Sequence, residues 1–178
     1  MERKPISIRE AAMSFGTAIG VIWCAKFPLF PLGLKYPLLE LFFLLITAVI
    51  PFFVYMQVYR FRDRFYPGDF PFRRAFSFTW QLYLYASLLT AVMHYVYFAF
   101  LDNGFVISTY ESYLSLMGQT PDLKELCDQM SQTLVIYKHL SPIEITMQLL
   151  TQNIIYGTLF SLITALVTMR GKKPESSN

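Results

Sequence analysis

The sequence predicts an all-α integral membrane protein. Its expected form is a four-helix bundle, N-in/C-in, with two amphipathic helices in the external connection between spans three and four. Three observations predict it. Four apolar runs, at about residues 8–25, 37–59, 76–101 and 142–169, each approach the roughly 20 residues that a helix needs to cross about 30 Å of hydrocarbon. Of 178 residues, 54% are hydrophobic and only 15% charged, too little charge to cover a soluble domain of this length. Lysine and arginine are also distributed unevenly among the connections, as membrane topology demands. The length suits one membrane domain, residues 1–178, without a second.

The first run follows a basic start, Arg3, Lys4 and Arg9, and is closed by Lys26, Pro28 and Pro31. It has the outline of a signal peptide. However, Cys24-Ala25-Lys26-Phe27-Pro28 contains no Ala-x-Ala site, and Trp23 spoils the small-residue box of a lipoprotein, so an uncleaved helix is expected. The second run carries the apolar block from Leu41 to Ile46 and, further on, Pro51. A proline inside a helix has no N–H to give, so the carbonyl one turn earlier, at Thr47, should be freed and the helix kinked there. None of the four runs alternates polar with apolar residues, which excludes membrane-barrel strands.

The long connection, about residues 102–141, opens on the turn signal Asn103-Gly104. Val106, Ile107, Tyr110, Tyr113, Leu114 and Met117 then recur at helical spacing and stop at Gly118, a C-cap. Thr120-Pro121-Asp122 opens a second helix, with Thr120 as N-cap and an apolar face of Leu123, Leu126, Cys127, Met130 and Leu134. These two helices should lie on the outer membrane surface or fold over the bundle mouth. Ser141 and Glu144 have capping-box spacing at the start of the last span.

Orientation follows from the cations. Arg3, Lys4 and Arg9 precede span one; Arg60, Arg62, Arg64, Arg73 and Arg74 form a basic loop between spans two and three; Arg170, Lys172 and Lys173 follow span four. The opposite side holds Lys26, Lys35, Lys124 and Lys138, outnumbered by carboxylates. Both termini and the arginine loop are therefore expected in the cytoplasm. The loop arginines retain the loop there and are also chemically suited to anionic lipid headgroups.

Polar residues inside lipid are costly and tend to be paired or functional. Lys26, Glu40, His94, Gln148, Gln152 and Asn153 all fall in the outer half of the bilayer under this topology and form an outer polar cluster. Lys26 ends span one and Glu40 starts span two, so an ion pair between them is geometrically easy. Two roles compete: interhelical hydrogen bonding with snorkelling, or a pocket open outward and lidded by the external helices. Small residues recur every four positions in span one (Gly16, Gly20) and in span four (Asn153, Gly157, Ser161, Ala165). Such stripes let backbones approach closely, and packing of span one on span four, or homodimerisation, is expected. Cys24 and Cys127 lie on the same side of the membrane, and whether they are bonded stays open.

The order of these features resembles a known family. Gly16 and Gly20 in span one are followed by Tyr59-Arg60-Phe61-Arg62-Asp63 and Phe70-Pro71-Phe72-Arg73-Arg74-Ala75-Phe76. An acidic external hairpin, Ser141-Pro142, and a last span with Asn153, Gly157 and Ser161-Leu162-Ile163-Thr164-Ala165 complete the series. This resembles domain of unknown function 4199, a family of four-span bacterial inner-membrane proteins, over nearly the whole chain. The chain departs from it in being unusually rich in Phe, Tyr and Pro. The resemblance implies an architecture and the bacterial inner (cytoplasmic) membrane, and transfers no catalytic residue. It also implies lipid-linked sugar metabolism as a setting, hence an anionic or polyprenol-linked lipid as a partner.

Several functions are excluded or disfavoured on inventory. A net charge of +3 without a basic stripe gives no basis for nucleic-acid binding. Two histidines, and no metal-protease, nucleophile-elbow, phosphate-loop or paired-aspartate motif, leave no catalytic, cofactor-binding or metal-ligating residue to assign. No inverted repeat of the self-contained transporter kind occurs. The expected function is that of a non-catalytic accessory or interaction protein of the membrane, partnered by the bilayer, another membrane protein or its own copies. The alternative is a small oligomeric transporter or flippase-like protein for a polar or lipid-linked solute.

Overall fold

The computed structural model describes residues 7–66 and 68–171. Among them lie seven α-helices, one 3₁₀ turn and a single isolated antiparallel bridge, Phe70 to Arg170. Four segments are long and apolar enough to cross a membrane: Ile8–Gly33, Pro37–Phe65, Phe72–Phe100 and Pro142–Thr168. Arg3, Lys4, Lys172 and Lys173 lie outside the described residues.

Helix α1, Ile8–Lys26, starts on a capping box that the sequence reading did not single out. The Glu10 N–H donates to Ser7 Oγ at 3.2 Å and the Ser7 N–H donates to Glu10 Oε2 at 3.1 Å. Beyond Lys26 the chain does not stop at its prolines but turns once more, as α2, Leu29–Gly33. Pro28 and Pro31 fall at or inside the first turn of α2, where a backbone N–H has no intrahelical partner, so their missing donors cost little. Gly33 then packs so closely on Glu40 that an added Cβ would stand 2.9 Å from the Glu40 nitrogen.

Helix α3 runs Pro37–Phe65 and α4 runs Phe72–Phe100. The arginines expected in a loop are therefore helical: Arg60, Arg62 and Arg64 end α3, while Arg73 and Arg74 begin α4. Arginine is a good helix former, and a cation complements the negative end of the α3 dipole. Helix α7, Pro142–Thr168, starts on the Ser141–Glu144 capping box as expected.

Helix α4 is the centre of the bundle, flanked by α1 and α7. This corrects the expectation that spans one and four pack on each other. A Cβ on Gly16 would meet the Leu82 carbonyl at 2.7 Å and Tyr85 Cβ at 2.8 Å; on Gly20 it would meet Leu89 and the Ala86 Cα. On α7, a Cβ at Gly157 would meet Tyr83 Cβ at 2.8 Å, and Ser161 is wholly buried. The notch cut by each glycine is filled by a large α4 side chain, which gives more dispersion contact than one notch laid on another.

At the arginine end of the bundle the core is dense. Phe61 of α3 stacks on Phe78 of α4 at 4.0 Å and 5°, and Phe15 of α1 meets both edge-on. Ala12, Val54, Val58, Ala75 and Ala165 fill the space around them with no exposed surface. Arg62 seals this end. It is 5% exposed, donates Nη1 to the Thr168 carbonyl at 3.0 Å and Nε to Asp63 at 2.9 Å, and lies 4.1 Å from the Tyr59 ring. It thereby caps a C-terminal carbonyl of α7.

At the other end, α5 (Phe105–Met117) and α6 (Lys124–Lys138) form the expected hairpin. Asn103 and Gly104 both have positive φ, 45° and 78°, which Asn and Gly tolerate best. Asp102 caps α5 by accepting the N–H groups of Gly104 and Val106. Gly118 ends α5 as expected. Thr120 precedes a 3₁₀ turn, Pro121–Leu123, but its side chain caps nothing, because the Leu123 N–H is taken by the Thr120 carbonyl. Cys127 is buried in the hairpin beside Gly118, and both cysteines are free thiols.

Gly16→Ala and Gly157→Ala should each lower stability by about 1–3 kcal/mol, the usual cost of overpacking. Gly68→Ala, with nothing within 4 Å of the added carbon, should change nothing. Thermal unfolding in detergent measures all three. Arg62→Ala should cost about 1.5–3 kcal/mol through its lost charged hydrogen bonds, against less than about 0.5 for exposed Arg60→Ala.

Candidate functional site: a cavity between the spans

Between the middle of the bundle and its hairpin end, the four spans line a half-open cavity of ≈ 320 Å³. Its wall is mostly apolar, from Phe27 and Phe30 at the α1–α2 junction, Phe43, Ile50 and Pro51 of α3, and Leu149, Tyr156 and Phe160 of α7. The polar lining residues are Trp23, Lys26, Thr47, Tyr83, Thr90, His94 and Asn153. The size and the ratio of apolar wall to few polar groups are those of a ligand site.

The sequence places these groups through three local features. Pro51 lies inside α3 and withholds the N–H that would meet the Thr47 carbonyl, and both residues line the cavity. The Thr47 hydroxyl donates to the Phe43 carbonyl and accepts from Lys26 Nζ, each at 2.7 Å. Lys26 ends α1, with its ammonium 4.7 Å from the Phe43 ring centre and 5.9 Å from that of Trp23. His94, 7% exposed, lies with its ring 4.6 Å from that of Phe27, and the Tyr83 ring is 6.2 Å from that of Trp23.

Four buried side-chain polar atoms lack a hydrogen-bond partner among the described residues: Trp23 Nε1, Glu40 Oε2, Tyr83 Oη and His94 Nδ1. Three of the four belong to residues lining this one cavity. The exceptions are informative because most of the other buried hydroxyls are satisfied within their own helices. Thr79, Ser87, Thr90, Ser161 and Thr168 each donate to the carbonyl four residues back. Lys26 likewise meets only neutral groups: the ion pairs among the described residues are Arg62–Asp63, Arg170–Asp63 and Lys138–Glu111.

The six-residue outer polar cluster divides. Lys26, His94 and Asn153 line the cavity. Gln148 and Gln152 stand together on the exposed outer face of α7. Glu40 lies at the α2–α3 elbow against Gly33, and the ion pair expected with Lys26 is replaced by the Lys26–Thr47 hydrogen bond. Sharing a membrane depth did not amount to sharing a face. Trp23, Thr47, Tyr83 and Thr90, which the sequence reading did not assign to the cluster, also line the cavity; Trp23 and Tyr83, as aromatic residues in an aromatic-rich chain, carried no signal of their own.

The hairpin does not lid the cavity, whose lining comes from the spans and α2. Instead the Tyr113 hydroxyl donates to the Leu34 carbonyl, holding α5 on the elbow, and Lys138 pairs with Glu111 at 3.0 Å. Burial, with the nearby Glu40 carboxylate as a second cause, holds the Tyr110 phenol above its usual range, so it stays protonated. Of the basic-loop arginines, Arg62 is structural and Arg74 donates to the Asp69 carbonyl at 3.0 Å. Arg60, Arg64 and Arg73 are exposed.

These features define a multi-pass helical membrane protein with an amphipathic cavity inside the bundle. Residues 14–170 match the model of the family described as protein of unknown function (DUF4199), and the chain belongs to that family. No curated protein and no solved structure matches the chain.

An unpartnered polar atom in a dry cavity costs about 1–3 kcal/mol. Tyr83→Phe, which deletes the orphan hydroxyl and keeps the ring, should therefore stabilise the delipidated protein by about 1 kcal/mol or more. Thermal unfolding after exhaustive detergent exchange provides the measurement.

Proposed function

We propose that this protein is a non-catalytic accessory protein of the bacterial inner membrane that holds a lipid or lipid-linked ligand between its spans. The cavity carries the reading: its wall is predominantly apolar, and three of its few polar residues, Trp23, Tyr83 and His94, hold atoms without partners among the described residues. A hydrocarbon chain suits the wall, and a polar head would satisfy the orphans. The tightly packed arginine end supports a holder rather than a conduit. The Phe61–Phe78 stack and buried Arg62 close the bundle there, where a transporter would need a second exit. Both termini and the arginine end face the cytoplasm in this reading, on the strength of the cation count.

Extraction of the protein with its surrounding lipids, followed by mass spectrometry, tests the holder reading. One lipid should stay bound per chain and be lost in Leu149→Trp, which fills the cavity wall. The same sample reports any partner protein or homo-oligomer. Recovery of a chain free of lipid and of partners would sink it. Reporter fusions in the 66–71 loop and the 118–123 turn test the orientation: the first should read cytoplasmic and the second external.

A further inference from the structure

The head of the ligand can be specified further, on the assumption that the cavity does hold a lipid. Lys26 and the indole of Trp23 are donors without any acceptor lone pair. Lys26 already gives one hydrogen bond to Thr47, at 2.7 Å, and its ammonium retains two further N–H groups. Trp23 Nε1 is buried and gives none. Tyr83 and His94, 3% and 7% exposed, add a hydroxyl and an imidazole nitrogen that are also unpartnered. A group that satisfies Trp23 and Lys26 together must bring acceptors.

Charge points the same way. Within the described residues no carboxylate pairs with Lys26, whose contacts are a hydroxyl and two aromatic faces. An ammonium held in apolar surroundings by neutral partners is costly, and an anion beside it removes most of that cost. A zwitterionic or cationic head would bring a second positive charge toward Lys26. A sugar or alcohol head would offer acceptors but leave the charge uncompensated.

We infer that the cavity takes an amphiphile with an apolar chain and a compact oxyanion head, a phosphate monoester or a carboxylate, seated at Lys26 and Trp23 with Tyr83 and His94 alongside. The chain lies along Phe43, Ile50 and Leu149. Phosphate and carboxylate share the chemistry that these donors recognise, and the two are separated by experiment.

The test uses purified full-length protein in nanodiscs of zwitterionic lipid, with four probes of equal chain length: hexadecyl phosphate, palmitate, hexadecanol and hexadecyltrimethylammonium. Binding is read by native mass spectrometry and by the shift in unfolding temperature. The two anions should bind, hexadecanol at least about tenfold more weakly, and the cation not at all. Whichever anion binds tighter identifies the head. Lys26→Met should weaken anion binding by about tenfold or more while leaving hexadecanol unchanged, and Lys26→Arg should retain most of it. Trp23→Phe, which keeps the ring and deletes the donor, should also weaken the anions and guards against a Lys26 variant that fails to fold. Equal binding of hexadecanol and the anions, or undiminished anion binding in folded Lys26→Met, would overturn the assignment of the head and leave lipid holding intact. Binding of no probe, with only water in the cavity, would overturn both.

Discussion

Helices in lipid gain nothing from hiding apolar surface, since the solvent is as apolar as they are, so their association depends on how closely the backbones can approach. In this bundle that approach is made twice on one helix. Gly16 and Gly20 bring α1 against Leu82, Ala86 and Leu89 of α4, while Gly157 brings α7 against Tyr83 on another part of its surface. With those flanks occupied, α3 is left with a partial seat. Its buried residues, Ile50, Val54, Val58, Phe61 and Arg62, all lie from its middle toward the arginine end. The first half of α3, up to Val49, buries none. The cavity is the space that this half leaves in front of α4, with Pro51 near the divide.

The polar groups of the spans follow the same division. Where helices touch, serines and threonines turn their hydroxyls onto their own carbonyls and ask nothing of a neighbour. Bonds between spans are few, such as Trp80 Nε1 to the Thr158 hydroxyl at 3.1 Å. Unsatisfied atoms therefore gather where the helices part. Such an arrangement is costly in an empty protein, because the interior dielectric that strengthens a good hydrogen bond also raises the cost of a missing one. A structure that concentrates its unmet donors in one apolar chamber has stored binding energy for whatever enters it.

The spans were legible because hydropathy and length answer a single question, and the bilayer leaves a helix as the natural answer. The α5–α6 hairpin was legible too, from Asn103-Gly104, Gly118 and the 3.6-residue spacing between them. The order of helices around the bundle was not. Gly16, Gly20 and Gly157 declare that something comes close, but a notch does not name the side chain that fills it. The α4 sequence held the answer in the buried series Ala75, Thr79, Leu82, Ala86 and Thr90, which reads as a packing face only once a neighbour is known. The polar cluster failed for a related reason. Depth can be counted along each span from its basic end, whereas azimuth depends on the neighbours, so Gln148 and Gln152 reached the right level on the wrong side of α7. The arginines were assigned to a loop between spans two and three and stand instead on the ends of α3 and α4, because their charge was read as a topology signal and their helix propensity was not weighed.

The two ends of the molecule are built for different tasks, and the difference bears on mechanism. Moving a solute across would require the arginine end to open as the hairpin end closes. Opening it means separating the Phe61–Phe78 stack, with Phe15 against both rings, and withdrawing Arg62 from the Thr168 carbonyl. The aromatic pairs contribute about 0.5–1.5 kcal/mol each beyond their buried area, and the charged hydrogen bond about 1.5–3. These contacts are linked, since the three rings Phe15, Phe61 and Phe78 touch one another and Arg62 adjoins Phe61 in the chain. Around the cavity the helices are joined by separate contacts instead: the Phe27–His94 and Phe30–Phe43 ring pairs and, among the described residues, one hydrogen bond between α1 and α3, Lys26–Thr47. In the proposed holding role the hairpin side is then the easier way in and out, with the arginine end a cooperative barrier. That asymmetry suits a protein that takes up and returns its ligand at one face, and the proposed holding role requires no more.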